Sequence, residues 1–351
     1  MDIIFEIATI IVAQLQNPTL AFLIGGMVLA ALGSRLEVPE PVFKLVVLLL
    51  LMKVGLGAGI SMREANFLAL AVPAIGATVA GVVIVLLGRV VLVRQRGVSE
   101  MDAMATAGLF GAVSASTLAA GMATLDSAGV AYEGFIGALY PFMDIAALLT
   151  AILLAKMSAA RKTAVTGASQ VGTTTNVVRA VTESRTGKLA RDILGDTLKS
   201  TAVSALLLGL AIGLLARPDA VYESFYEPLF RGLLSLLMLV MGMEAWASLS
   251  DLRRVAHIYV LYGLIAPFVH GFIGFGIGLV AHQLAGFSTG GMALLAVMAA
   301  SSSDISGPPT LRATLPDANP SAYVGTSTGL GTPVALLSIP LWIALAEVFV
   351  G

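Results

Sequence analysis

Two stretches of this sequence set polar chemistry inside otherwise apolar runs. Residues 299–310 read AASSSDISGPPT, placing the carboxylate of Asp304 among Ser301, Ser302, Ser303 and Ser306, with Pro308 and Pro309 just beyond. Residues 108–121 read GLFGAVSASTLAAG, a small and hydroxylated run carrying Ser114, Ser116 and Thr117. Proline removes a backbone donor and bends or breaks a helix, so both stretches are predicted to interrupt helices in the middle of a membrane span. A half-helix that starts there presents free N–H groups and about half a positive charge, which suits a small anion completed by serine hydroxyls. Small residues alone would also serve close helix packing. The carboxylate decides for the pair, because charge inside a span is costly and defaults to function. Asp144, in the run Tyr140 to Asp144, lies deep in another apolar stretch with no basic residue near it in sequence. Its repeat counterpart falls in TSTGLGTP, residues 326–333, which is expected to be a glycine- and proline-broken stretch offering Thr328 and Thr332. Carboxylates, hydroxyls and freed carbonyls are hard oxygen ligands, and sodium fits them best. A purely local hydrogen-bonded role for Asp144 stays open.

The elements that hold these residues must lie in lipid. The 351 residues are 58% hydrophobic and only 12% charged, with a mean hydropathy of +0.94. A soluble domain carries about 25% charged residues, too many for this chain to supply. A net charge of −1 gives no field to gather nucleic acid, so nucleic acid is excluded as a main partner. With no cysteine there is no thiolate chemistry or cysteine-held metal. No zinc motif or phosphate loop is present, and His257, His270 and His282 share no metal-site spacing. No cofactor is expected beyond a coupling ion, and His270 reads as a packed side chain. The opening residues carry Asp2 and Glu6 where a signal peptide needs a basic start, so this segment reads as retained.

Apolar runs of about 17 to 25 residues cross the hydrocarbon as helices. Ten are found, at about 18–34, 40–60, 66–92, 101–125, 131–157, 198–216, 226–249, 256–283, 288–313 and 320–350. With both termini outside, 16 of the 20 lysines and arginines fall on one side and 3 on the other, with Lys53 inside a span. That asymmetry fits the positive-inside rule and ten spans. The fold class is therefore an all-α polytopic membrane protein with broken helices near the midplane. Residues 159–197, rich in Thr, Ser, Gly and basic side chains, read as a cytoplasmic linker between residues 1–158 and 198–351.

The halves resemble each other. At an offset of 187, Glu40-Pro41-Val42-Phe43-Lys44 meets Glu227-Pro228-Leu229-Phe230-Arg231, and Gly55, Ala58 and Ser61 meet Gly242, Ala245 and Ser248. At 189, Gly97, Ser99, Ser114 and Thr117 meet Gly286, Ser288, Ser303 and Ser306. Five spans per half is odd, so the second half enters the membrane inverted, a design that recurs in secondary transporters. Lys53 and Glu244 sit in equivalent spans 2 and 7 and are expected to form a structural ion pair or to make contacts at an oligomer surface, in preference to a direct transport role.

The runs GLFGAVSASTLAAGM, ALYPFMDIAALLTAI, LFRGLLSLLMLVMGMEAW and AASSSDISGPPTLRATLPDANPSAYVG resemble the cyanobacterial sodium-dependent bicarbonate transporter family, SbtA. The resemblance covers both halves. It implies a sodium–bicarbonate symporter of the inner membrane that feeds a carbon-concentrating mechanism. It also implies a homotrimer whose protomers divide into a gate domain, spans 1, 2, 6 and 7, and a core domain, spans 3–5 and 8–10. An inhibitory PII-like protein, SbtB, would dock on the cytoplasmic face, although the linker here is shorter and less acidic than the family suggests. Joined to the residue reading, bicarbonate is expected at Ser114, Ser116, Thr117, Ser302, Ser303 and Ser306. Sodium is expected at Asp144 and Asp304 with Ser303, Thr328 and Thr332. An intramembrane aspartyl protease is disfavoured, since Thr332 stands where its second aspartate would follow Gly329-Leu330-Gly331. A sodium-coupled carrier of another small anion or an organic acid remains the alternative, as does a sodium–proton antiporter. A large carboxylate would call for a mid-membrane arginine, and the core spans offer only Arg312 near one end.

Overall fold

The computed structural model describes residues 18–63, 67–168, 195, 198, 199, 201–252 and 257–350. The opening segment and most of the expected linker, residues 169–194, 196 and 197, lie outside the described residues. Those described are helical, with no strand among them. In chain order they form α1 (Pro18–Ala31), α2 (Glu40–Met62), α3 (Phe67–Leu92), α4 (Glu100–Gly111), α5 (Ala115–Ala128) and, after a 3₁₀ turn Gly134–Ala138, α6 (Leu139–Ala168). Next come α7 (Thr201–Leu215), a helical turn Asp219–Val221 and a π turn Tyr222–Tyr226 leading into α8 (Glu227–Leu252), and α9 (His257–Ala285). The chain ends with α10 (Thr289–Ala300), α11 (Gly307–Thr314), α12 (Pro320–Thr326), a π turn Ser327–Gly331 and α13 (Thr332–Val350).

Among the described residues seven helical stretches are long and apolar enough to cross a membrane, and three shorter apolar helices, Leu20–Ala31, Val203–Leu215 and Thr289–Ala300, coincide with expected spans 1, 6 and 9. The helices wear their apolar side outward. On α3, Ile75, Val79, Val83, Leu86 and Val90 form one exposed stripe at helical spacing, a surface that water would penalise and lipid accepts. Helix α6 runs on to Ala168, into the segment read as linker. Residues 326–333 differ from expectation too. The chain there stays helical and widens into a π turn, which accommodates the missing N–H of Pro333 without a break.

Two packing groups result. α2 lies along α7 and α1 along α8, while α3, α4 and α6 pack together, as do α9, α10 and α13, with α3 against α9 joining these last two sets. Glycines permit the first contacts. A β-carbon on Gly55 or Gly59 would strike the Leu206 or Leu210 carbonyl of α7, and one on Gly209 or Gly213 would strike Met52 or Leu56 of α2. Spaced four apart on both helices, they let the backbones touch. Gly26 and Gly242 do the same between α1 and α8.

Gly55→Ala should therefore destabilise the protein by about 1–3 kcal/mol, the usual range for overpacking. Gly232→Ala, whose new methyl meets nothing within 4 Å, should be neutral or slightly stabilising. Thermal unfolding of the detergent-purified protein checks the pair, and equal melting temperatures for the two variants would contradict the packing account.

Candidate functional site

Helices α4 and α10 each stop inside the protein, and each is followed by an extended segment and a second half-helix. Ser99 opens α4, its hydroxyl accepting from the Asp102 N–H at 3.0 Å, and Ser288 opens α10, accepting from the Gly291 N–H at 3.0 Å. At their far ends Ala112 and Ser301 turn extended. Ser114 then caps α5 by accepting from the Thr117 N–H at 3.0 Å, while Ser303 accepts from the Gly307 N–H at 2.9 Å at the start of α11. Pro308 and Pro309 fall in the first turn of α11, where no N–H is required of them. The two breaks are bonded to each other. The Ser114 N–H donates to Ser301 Oγ at 3.0 Å, and the Ser303 N–H donates to the Leu109 carbonyl at 2.8 Å.

The carboxylates occupy two separate nests at this crossing. Ser114 donates to Asp304 Oδ2 at 3.0 Å, and Ser116 donates to the same oxygen. Asp304 Oδ1 is buried and has no hydrogen-bond partner. Asp144, wholly buried, accepts from the Val113 N–H at 3.3 Å and from Ser306 at 3.2 Å, and Ser306 also pairs with Tyr140 at 3.1 Å and Ser303 at 3.0 Å. A third set joins Ser302 to Thr332 at 3.3 Å and Ser327 at 3.2 Å on the π turn. Thr117 donates to Ser114 at 2.9 Å, and Thr328 is buried in the same π turn as Ser327. Thus Ser114, Ser116 and Thr117 gather with Asp304, whereas Ser303 and Ser306 gather with Asp144. Ser301, Ser327 and Tyr140 complete these sets, although none of them was among the residues expected to bind bicarbonate or sodium. Tyr140 does precede Asp144 by one helical turn, a legible signal. Helices α2 and α8 close over the crossing: beside Ser116 and Ile305, the space they bound with Val47, Leu50, Val54 and Leu237 leaves about 10 Å³ for a water centre. That is room for about one water.

The sequence pattern of the Na⁺-dependent bicarbonate transporter superfamily matches residues 18–347. The chain belongs to this superfamily. No curated protein matches it. A transporter family and long apolar helices make it a multi-pass membrane transporter rather than an enzyme, with sodium implied as coupling ion. The donors suit that cargo. Among the described residues no three carboxylate or imidazole groups converge as a transition-metal site would need. Asp304 Oδ1 and the serine hydroxyls instead offer the few hard oxygens that sodium prefers.

Outside the crossing, one expectation changes and one holds. Lys53 is buried in α2, and its ammonium lies 3.2 Å from Glu227 Oε2 and 4.2 Å from the Phe230 ring centre. The partner is Glu227, not Glu244. Glu244 stands 17 residues further along the same helical run, about 25 Å at 1.5 Å per residue, beyond the reach of a lysine. His270 is packed edge-on against Phe110 and Tyr262, with ring centres 6.1 and 6.0 Å away.

Removing Glu227 leaves a buried ammonium without its counter-charge, which is destabilising, whereas Glu244 is exposed. Glu227→Ala should lower the melting temperature clearly and Glu244→Ala should not. The reverse order would restore the original pairing.

Proposed function

We propose that this protein is a sodium-coupled bicarbonate symporter of the cell inner membrane, with all ten helical stretches crossing and both termini on the periplasmic side. The observation that carries the reading is the crossing itself, where two interrupted helices meet beside a buried carboxylate oxygen, Asp304 Oδ1, that lacks a partner. Bicarbonate lies between the starts of α5 and α11, met by N–H groups and by Ser114, Ser116, Thr117, Ser302, Ser303 and Ser306. Sodium sits beside it on Asp304 and Asp144, helped by Ser303, Thr328 and Thr332. The cation offsets the cost of desolvating the anion, so neither binds well alone.

An inverted repeat is supported by the reciprocal bonds of Ser114 and Ser303, equivalent at the offset of 189. It is supported again by the pairing of α1 with α8 and α2 with α7, which exchanges equivalent helices between halves. The same packing favours a gate domain of spans 1, 2, 6 and 7 beside a core domain of spans 3–5 and 8–10. Alternating access then moves the core past the gate helices α2 and α8 that cover it. Family resemblance adds the homotrimer, the carbon-concentrating role and an SbtB-like inhibitor at the cytoplasmic face.

Labelled bicarbonate uptake into proteoliposomes, with sodium and voltage varied independently, tests the reading. Uptake should require sodium, and Asp304→Ala should abolish it while leaving the folded protein intact; retained sodium-dependent uptake would remove Asp304 from the site. Sodium-driven uptake of another anion with none for bicarbonate would favour the alternative substrate. A tenfold sodium gradient supplies about 1.4 kcal/mol, and an inward charge about 2.3 kcal/mol per 100 mV. One sodium per bicarbonate is electroneutral and gives roughly tenfold accumulation, whereas two supply about 5 kcal/mol, several thousandfold. A concentrator driven by a modest gradient is therefore expected to respond to voltage, and indifference to voltage would exclude the two-sodium version.

A further inference from the structure

Outside the crossing, the start of each interrupted helix is tied to the loop that follows the other one. At the start of α10, Glu133 accepts from the Ser288 N–H at 2.6 Å through Oε1 and from the Ser288 hydroxyl at 2.8 Å through Oε2. Glu133 belongs to the loop after α5. At the start of α4, Asp102 Oδ1 accepts from the Asn319 N–H at 2.7 Å, and Asn319 belongs to the loop after α11. Ser99 and Ser288 are equivalent in the two halves, yet the carboxylate sits on the loop in one tie and on the helix in the other. The ties are alike in place and different in chemistry.

The Glu133 tie is built into the backbone as well. A β-carbon on Gly290 would collide with the Ala131 carbonyl, so glycine there admits the loop backbone, and one on Gly291 would meet the Glu133 carboxylate itself. The same Ser288 hydroxyl that donates to Glu133 accepts from the Gly291 N–H. From Ser288 the helix runs twelve residues, buried from Gly290 to Ala300, to Ser301, which receives the Ser114 N–H. That rod is about 18 Å long, and fixing one end fixes the height and rotation of the other.

We infer that Glu133 is a positioning residue for transport: by clasping the start of α10 it holds Ser301 to Asp304 in register with Ser114 and Ser116. The inference rests on the transport reading for its functional consequence, and on geometry alone for the clasp. A site made from two helices binds only while they are in register, so its apparent affinity falls with the fraction of time that register is kept. A charge-assisted bond at a helix start also gains from the helix dipole.

The test compares Glu133→Ala, Glu133→Gln and Gly291→Ala in proteoliposomes. Glu133→Ala should raise the half-saturating sodium and bicarbonate concentrations roughly fivefold, the equivalent of about 1 kcal/mol, with the maximal rate per folded protein little changed. Glu133→Gln keeps an acceptor for the Ser288 N–H and should restore most of the affinity. Gly291→Ala, whose new methyl would displace the Glu133 carboxylate, should behave like Glu133→Ala and answers the question if that variant folds poorly. Unchanged half-saturation, or a lower maximal rate alone, overturns the inference. Sodium-dependent uptake by the parent protein judges the transport reading separately. Hydrogen–deuterium exchange over residues 297–307 reads the clasp without transport: faster exchange in Glu133→Ala supports it, and unchanged exchange overturns it.

Discussion

A helix cannot simply stop inside a membrane, because lipid offers no hydrogen bonds to the backbone groups it abandons. Every feature of the crossing follows from that constraint. When α4 ends at Gly111 and α10 at Ala300, the freed groups must find partners within the protein, and the nearest partners are on the other interrupted helix. Ser114 and Ser303 each donate across, and Ser114 and Ser303 each cap the half-helix that follows. Serine suits both duties, since one hydroxyl can accept from a helix N–H and donate to a carboxylate at once. The interruption is affordable only as a pair.

The same constraint explains where the carboxylates stand. Asp144 accepts from the Val113 N–H and from Ser306, so its oxygens are already partnered within the protein. Asp304 is satisfied on one oxygen and open on the other. On the proposed reading, the open oxygen of Asp304 is the one with binding capacity left for the cation. Leu237 and Val54 line the small space beside its neighbour Ile305 with apolar bulk.

How much of this was legible depends on whether the physics is local. Asp304 declared itself because a charge in an apolar run is costly wherever the run ends up, and Ser114 only through its match to that stretch, since small residues alone would equally serve helix packing. Most helix limits followed from hydropathy with small shifts at the ends, whereas α6 ran on to Ala168, well into the expected linker. Facing was less accessible. Repeat equivalence set Lys53 beside span 7 but carried no information on which turn of that helix it would meet, so Glu244 stood in for Glu227. The stretch after Thr326 held glycine and proline that usually break a helix, yet a π turn absorbed them, a choice made by packing against α8 rather than by composition. Glu133 gave no signal, since a loop carboxylate at a membrane edge looks like ordinary solvation until Ser288 is placed against it.

Small residues tie these levels together. Gly55, Gly59, Gly209 and Gly213 bring α2 and α7 into backbone contact, and the offset of 187 that sets Gly55 on Gly242 also carries Gly26 onto Gly213. Glycines in one half thus meet the counterparts of glycines in the other, as expected if both halves descend from one packing solution used twice. On the transport reading this has a mechanical consequence. Backbone-to-backbone contacts make α1, α2, α7 and α8 stiff, while their contact with the crossing is made by side chains such as Leu50 and Leu237, which can slide. Stiffness within each group and slippage between them is what a moving core requires, and leucine side chains at the contact supply the second.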